Sequence, residues 1–290
     1  MQNNYQGYRL LLVHAHPDDE TINNGSTMAL YASRGADVTL VTCTRGEEGE
    51  VLIADLAHLA AHMTDTLGDH RVTELAHAMK ALGVSDHRFL GEGQNKYRDS
   101  GMMGTEPNNH SEAFWNADFE RAAGQLAAVI DEVKPHVLIT YDEFGGYGHP
   151  DHIQAHRVAM RASEVSTWDI QKIYWNVMPK SVIQEGIDAM KKIGSDFMGA
   201  ESADGLPFAK DDSFVHAMID GNEHVEKKMQ AMRAHGTQIE VDGPFFALSN
   251  NLGLQVWGNE YYTLVKGLKA SLLNDKGYET DLFSGVELSE

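Results

Sequence analysis

The sequence predicts an α/β protein: a Rossmann-like, doubly wound, mostly parallel sheet with helices on both faces, followed by a C-terminal elaboration. Three observations lead there. Short β-branched or apolar runs alternate with stretches of helical period through the first part of the chain. Gly35, Gly83 and Pro135 fall where each intervening helix has to stop. Polar clusters sit directly after the apolar runs, which is where parallel sheets carry their ligand-binding loops.

The elements follow in order. Tyr8 to His14 is an apolar first strand, and a polar loop leads to a helix from about Gly25 to Ser33. After Gly35, the β-branched run Val38 to Cys43 makes the second strand. Thr64 to Leu82 has helical spacing closed by Gly83, and His87 to Leu90 is the third strand. Ala117 to Val133 is the next helix, ended by Pro135, and Val137 to Tyr141 is the fourth strand. From about Gln171 the pattern weakens to a strand at Ile173 to Val177 and helices near Ser181 to Ile193 and Glu223 to His235. A Gly243-Pro244 turn then precedes a late strand at Tyr261 to Val265. Residues 195–221 and 269–290 show little periodicity and read as loops and a loosely ordered tail. No Pro/Ser-rich linker or repeat divides the chain. Residues 1–290 therefore read as one domain, with a core over about 8–170 and the elaboration over about 171–290.

Composition narrows the function. With 43 acidic against 23 basic residues the net charge is −20, which repels phosphate backbones and anionic lipid. Neither nucleic acid nor membrane is expected as a partner; a small molecule is. The single cysteine, Cys43, cannot form an internal disulfide and lies in an apolar strand, where a buried thiol is the default. No apolar run approaches the roughly 18 residues of a membrane span. The first apolar run, Leu10 to Val13, lacks a basic segment before it, so a cytoplasmic location is expected. GxGxxG, GxxxxGK[ST] and GxSxG are all missing from the sequence, against dinucleotide, P-loop and serine-nucleophile chemistry.

Two histidine clusters carry the chemistry. Ala15 to Glu20 reads AHPDDE, placing His16, Asp18, Asp19 and Glu20 after the first strand. Gly145 to His152 reads GGYGHPDH, with His149 and His152 at i, i+3 and His156 four residues further on. Taken singly, the first is also readable as an acidic turn capping a helix and the second as a surface histidine pair. Together they supply what a catalytic zinc site uses: three histidine or carboxylate ligands and an open position for water. A spare carboxylate and a spare histidine remain for proton transfer.

AHPDDE paired with GGYGHPDH about 130 residues later resembles the LmbE-like (PIG-L type) zinc de-N-acetylases. The resemblance runs from about Leu10 to Val265, through TCTRGEEGEV, GDHR (Gly68 to Arg71), KYRDSGMMGT and GPFFALSNN. It implies a Zn²⁺ enzyme, with Fe²⁺ as the other candidate metal, that hydrolyses the amide of an N-acetylated amino sugar. By the same resemblance His16, Asp19 and His152 match the metal ligands and Asp18 the general base. His149 matches the group that stabilises the oxyanion or protonates the leaving amine, with Asp151 tuning it and Tyr147 closing over the acyl group. Glu50, Arg71 and Asp99 match residues that hold sugar and inositol hydroxyls, and Asn23 stands where relatives differ in selectivity. The plainer readings are a loop aromatic for Tyr147, a surface residue for Arg71 and a helix N-terminal carboxylate for Glu50. The implied substrate is N-acetylglucosaminyl-inositol, from mycothiol biosynthesis; a mycothiol S-conjugate or another N-acetylglucosaminide is the alternative. A non-catalytic sugar- or metal-binding protein is disfavoured, because it needs no base beside the metal. The residues leave the oligomeric state undetermined.

Overall fold

A computed structural model describes residues 4–91, 96–192, 194, 197, 199–240, 258–271 and 273–288, and in it strand and helix alternate from the N-terminus. The first half runs β1 (Arg9–His14), α1 (Asp19–Ser33), β2 (Asp37–Thr42), α2 (Leu67–Leu82), β3 (Asp86–Phe89), α3 (Phe119–Val133) and β4 (Val137–Thr140). A single turn, α4 (Gly145–Gly148), leads into α5 (Pro150–Val165), then β5 (Lys172–Asn176). The remainder is β6 (Met178–Pro179), α6 (Lys180–Lys192), β7 (Ala209–Lys210), β8 (Ala217–Asp220), α7 (Val225–Ala234) and β9 (Asn259–Lys266).

The main sheet has the order β3-β2-β1-β4-β5-β9-β8. Its first five strands are parallel, whereas β9 runs antiparallel to β5 and β8. Alternation along β1 sorts the core into two layers. Leu10 and Leu12 join Met28 and Leu30 of α1 and Leu75 and Met79 of α2, together with Ala231 of α7. Leu11 and Val13 point the other way, onto Ala122 and Leu126 of α3 and Ala155 and Val158 of α5. Helices therefore cover both faces, as the alternating pattern predicts.

Three expectations need correction. The first helix starts at Asp19, not near Gly25. Its first turns bury Glu20, Thr21 and Asn24, so polar residues interrupt the apolar period that marks a core-facing helix. Residues 195–221 are not all loop. Ala217–Asp220 is the edge strand β8, with Ala217 and Ile219 buried, too short to register as a pattern.

The tail is also not loose. Leu282, Phe283 and Val286 lie in the core beside Tyr5 and Tyr31, and the ring of Phe283 sits 4.9 Å from that of Tyr31. The fully buried carboxylate of Glu279 accepts from Lys172 Nζ at 2.8 Å and from the Tyr174 hydroxyl at 2.6 Å. The Gly243-Pro244 turn and the GPFFALSNN stretch lie outside the described residues.

Candidate metal centre and active site

Strands β1, β2 and β4 end on one edge of the sheet, and the loops that follow them converge there with the 96–101 segment. They wall a cavity of about 660 Å³ lined by residues that include His16, Asp18, Asp19, Asn23, Glu50, Arg71, Asp99, Tyr147, His149 and His152. Asp151, fully buried, stands behind this wall. Pro150 opens α5, with the His149 ring as its N-cap: Nδ1 accepts from the Asp151 amide at 3.1 Å. One turn of α5 then carries both Asp151 and His152 towards the end of β1.

His16 Nδ1 lies 3.3 Å from His152 Nε2 and 3.5 Å from Asp19 Oδ2, and the latter two atoms are 3.3 Å apart. Ligand atoms about 2.1 Å from a tetrahedral zinc stand about 3.4 Å from one another, so this triangle has the size of one face of such a site. The ring nitrogens of His149 also lie close enough to His16 and His152 to form a second possible ligand group. The opposite ring nitrogens are already engaged, which leaves the inward ones free to ligate. His16 Nε2 donates to Asp151 Oδ2 at 3.1 Å, and His152 Nδ1 donates to the Gly145 carbonyl at 3.2 Å. Asp19 is anchored by the Tyr141 hydroxyl at 2.7 Å and the His16 amide at 3.0 Å. Tyr141 also stacks on His152, ring centroids 4.3 Å apart. The residues fit a divalent cation.

The electrostatics agree. Burial pushes His152 down to about 4, keeping a lone pair available. Burial works against charge on His16, but the carboxylates of Asp99, Asp151 and Asp19 outweigh it and raise its pKa well above the ordinary value, so a cation is welcome there. Asp19 would be raised by burial, yet His152 and His16 hold it well below the carboxylate range. Asp18 is raised by burial to about 6 against the pull of Arg71. Burial, then His16 and His152, push His149 to about 3. A neutral His149 whose Nδ1 accepts from the Asp151 amide must carry its proton on Nε2.

Asp151 sits differently from expectation, and the structure also places Arg71 and His156. The Asp151 carboxylate does not face His149. It accepts from His16 Nε2 and from the Ser100 amide (2.9 Å) and hydroxyl, because the N-cap turn sends backbone to His149 and side chain to β1. Arg71 is not on the surface: it is 2% exposed, with Nη1 on the Gly46 carbonyl (2.8 Å) and Nη2 on the Pro17 carbonyl and Asp18 Oδ2 (3.2 Å). His156 turns away, its Nδ1 on the Tyr141 carbonyl at 2.9 Å. Asn23 lines the cavity with its side chain tied to the Asp19 carbonyl, while Glu50 is exposed at the rim. Tyr147 is 42% exposed, its ring 4.9 Å from that of His152.

Sequence reasoning missed Ser100, Tyr141, Glu48 and Gln238. The first two follow directly from motifs already in view, since Ser100 adjoins Asp99 and Tyr141 ends the fourth strand. The cavity continues into an apolar arm lined by Met178, Phe197, Leu206 and Phe208, which the sequence did not announce.

The chain is similar to known proteins. Residues 11–163 match the family described as PIG-L: GlcNAc-PI de-N-acetylase. A protein from Geodermatophilus obscurus named 1D-myo-inositol 2-acetamido-2-deoxy-alpha-D-glucopyranoside deacetylase is 56% identical over 96% of this chain and 98% of its own length. Among solved structures, N,N'-diacetylchitobiose deacetylase from Pyrococcus horikoshii aligns with TM-score 0.56 at 19% identity, covering 89% of this chain and 84% of that one. The 4-carboxy-2-hydroxymuconate hydratase of Pseudomonas putida aligns with TM-score 0.60 at 18% identity, covering 92% and 99%. A deacetylase and a hydratase thus share this fold, so the structural likeness bears on fold alone.

Proposed function

Because the chain belongs to the PIG-L family of de-N-acetylases, we propose that it is a zinc-dependent hydrolase that removes the acetyl group of N-acetylglucosaminyl-inositol, as in mycothiol biosynthesis. The observation that carries this reading is the 3.3–3.5 Å triangle of His16 Nδ1, Asp19 Oδ2 and His152 Nε2 on the wall of a cavity that also holds Asp18 and His149. These three residues would hold the metal; a 2-His-1-carboxylate set serves both Zn²⁺ and Fe²⁺, and the higher intrinsic affinity of such sites for Zn²⁺ favours zinc. When bound, the cation supplies Lewis acidity to the acetamide carbonyl and to the attacking water.

The chain's own groups do the rest. Asp18 takes the proton of the attacking water as the new C–O bond forms, and its raised pKa of about 6 suits a group that must give that proton up again. The Nε2–H of His149 donates to the oxygen of the tetrahedral carbon, a contact typically worth about 3 kcal/mol in such sites. The oxyanion then re-forms the carbonyl as the C–N bond breaks, and Asp18 returns its proton to the departing amine. The remaining hydroxyl proton passes to the amine or to solvent, and acetate and free amino sugar leave. Asp151 orients His16 rather than touching substrate, and Arg71 holds Asp18. Glu50, Asp99 and Asn23, joined by Glu48 and Gln238, offer acceptors and donors for sugar and inositol hydroxyls. Tyr147 covers the acyl side.

The apolar arm favours a second reading, an amidase acting on mycothiol S-conjugates, whose bulky adduct needs a place to go. Comparing kcat/KM for N-acetylglucosaminyl-inositol, free N-acetylglucosamine and an S-conjugate separates the two. The inositol compound is expected to lead. If the S-conjugate leads, the amidase reading replaces this one, and if free N-acetylglucosamine is equal, the second-ring pocket is wrong. Asp18→Ala and His149→Ala should each cut kcat by about 10²–10⁴ with metal content unchanged.

A further inference from the structure

Asp18 stands on unusual backbone. Its φ of 121° and ψ of −34° lie outside the regions open to a residue with a side chain. A conformation of that kind persists only where its surroundings impose it. Arg71 on α2 supplies part of the restraint, through the Pro17 carbonyl and the Asp18 carboxylate. The other part comes from behind the site. Glu20 Oε2 accepts the Asp18 amide at 2.9 Å, while Oε1 accepts from His235 Nε2 at 2.9 Å and from the Thr21 hydroxyl at 2.6 Å.

Glu20 and His235 are both fully buried, and neither is among the residues lining the cavity. A buried ion pair is weak evidence of a stabilising role, because two apolar side chains of the same volume commonly do as well. What such a substitution could not reproduce is the hydrogen bond from the pair to the amide of the proposed base. We infer that Glu20 and His235 are positioning residues for Asp18. His235, at the end of α7, fixes the Glu20 carboxylate. Glu20 fixes the Asp18 amide, and the strained peptide then aims the Asp18 carboxylate into the cavity. A helix of the C-terminal elaboration is thereby part of the alignment of a group that arrives after β1. This inference rests on the reading of Asp18 as general base.

The test is a double-mutant cycle on the zinc-loaded enzyme with N-acetylglucosaminyl-inositol, scored per folded, metal-containing molecule. His235→Met keeps volume and removes the donor, whereas His235→Gln keeps an N–H that can reach Glu20. A misplacement of about 1 Å costs on the order of 100-fold, so His235→Met should lower kcat about 10–100-fold, with KM and zinc content unchanged. His235→Gln should recover most of that loss. In an Asp18→Ala background, His235→Met should cost less than about twofold. Wild-type kcat in His235→Met, or a full loss retained in the Asp18→Ala background, overturns the inference. Should the Met variant fail to fold, Thr21→Val removes the other donor to Glu20. Its loss of kcat must show the same dependence on Asp18, and an independent loss overturns the inference equally. An Asp18→Ala enzyme with unchanged kcat would instead defeat the base assignment itself, a result the cycle reports separately.

Discussion

Replacing Asp151 by asparagine or by alanine separates two things its carboxylate does for the metal site. Oδ2 accepts from both His16 Nε2 and the Ser100 amide, and Oδ1 accepts from the Ser100 hydroxyl. An asparagine can place its carbonyl where Oδ2 is and its NH₂ where Oδ1 is, because a hydroxyl can accept as well as donate. The orientation of His16 is then kept, and what is lost is the negative charge behind it and the acceptor of the Ser100 hydroxyl proton. Alanine removes the orientation too and strands the buried Ser100 amide, a loss of about 1–3 kcal/mol of stability. Partners of ligating histidines are typically worth 10–100-fold in metal affinity. Asp151→Asn should therefore fall near the tenfold end and Asp151→Ala near the hundredfold end, about 1.4 and 2.7 kcal/mol. Zinc affinity measured by competition with a chelator of known strength, alongside denaturant unfolding of the metal-free proteins, reads both effects. Equal affinities for wild type and both variants would show that the His16–Asp151 contact does not support the metal. Equal losses in the two variants would refute the separation of charge from orientation.

Further outcomes follow from other parts of the molecule. Glu279→Ala leaves Lys172 Nζ buried without its carboxylate, and denaturant unfolding should show a loss of about 3–5 kcal/mol. Gly145→Ala should weaken zinc binding in the same chelator assay. Gly145 has φ +65°, and an added Cβ would come within 2.6 Å of His152 Cβ and 2.7 Å of the Ile153 amide. His136 is lowered to about 4, first by burial and then by Arg9, and unfolding returns it to about 6.5. The unfolded chain thus binds the extra proton between those values, so this residue's contribution to stability is lost as pH falls from about 6.5 towards 4. Unfolding followed across that window should show wild type losing stability relative to His136→Gln, and parallel curves would exclude His136 as a cause.

How much of this was legible depended on how far apart the cooperating residues lie in the chain. β1, β2 and β4 were readable because strands buried on both faces are continuous apolar runs. The two histidine motifs were readable because each is covalently compact, and the α/β pattern carries both to one sheet edge. Direction within a motif was not readable. Asp151 is two residues from His149, yet its carboxylate serves His16, 135 residues away, since helix geometry decides where a side chain points. Arg71 could not be told from a surface arginine, because its partners Pro17, Asp18 and Gly46 lie in other segments. His235 bonds Glu20 across 215 residues, and nothing local to Glu223 to His235 marks it. The tail was missed for a related reason: it is held by single buried contacts such as Glu279 and Phe283 rather than by a repeating period.

The Lys172–Glu279 bond also sets a timetable for synthesis. Its partners are 107 residues apart, so at about 5–20 residues per second the ribosome makes Lys172 some 5–20 s before Glu279 exists. For most of that interval β5 has no neighbour on its outer side, because β9 is also made later, at Asn259–Lys266. The nascent chain therefore carries an unpaired lysine and an open strand edge at the middle of its future sheet, which is the state most exposed to pairing with another chain. Closure comes last, when Leu282 and Phe283 reach back to Tyr5 and Tyr31. The segment around Leu282 and Phe283 thus acts as a latch on Tyr5 and Tyr31, fastened only after translation has passed it.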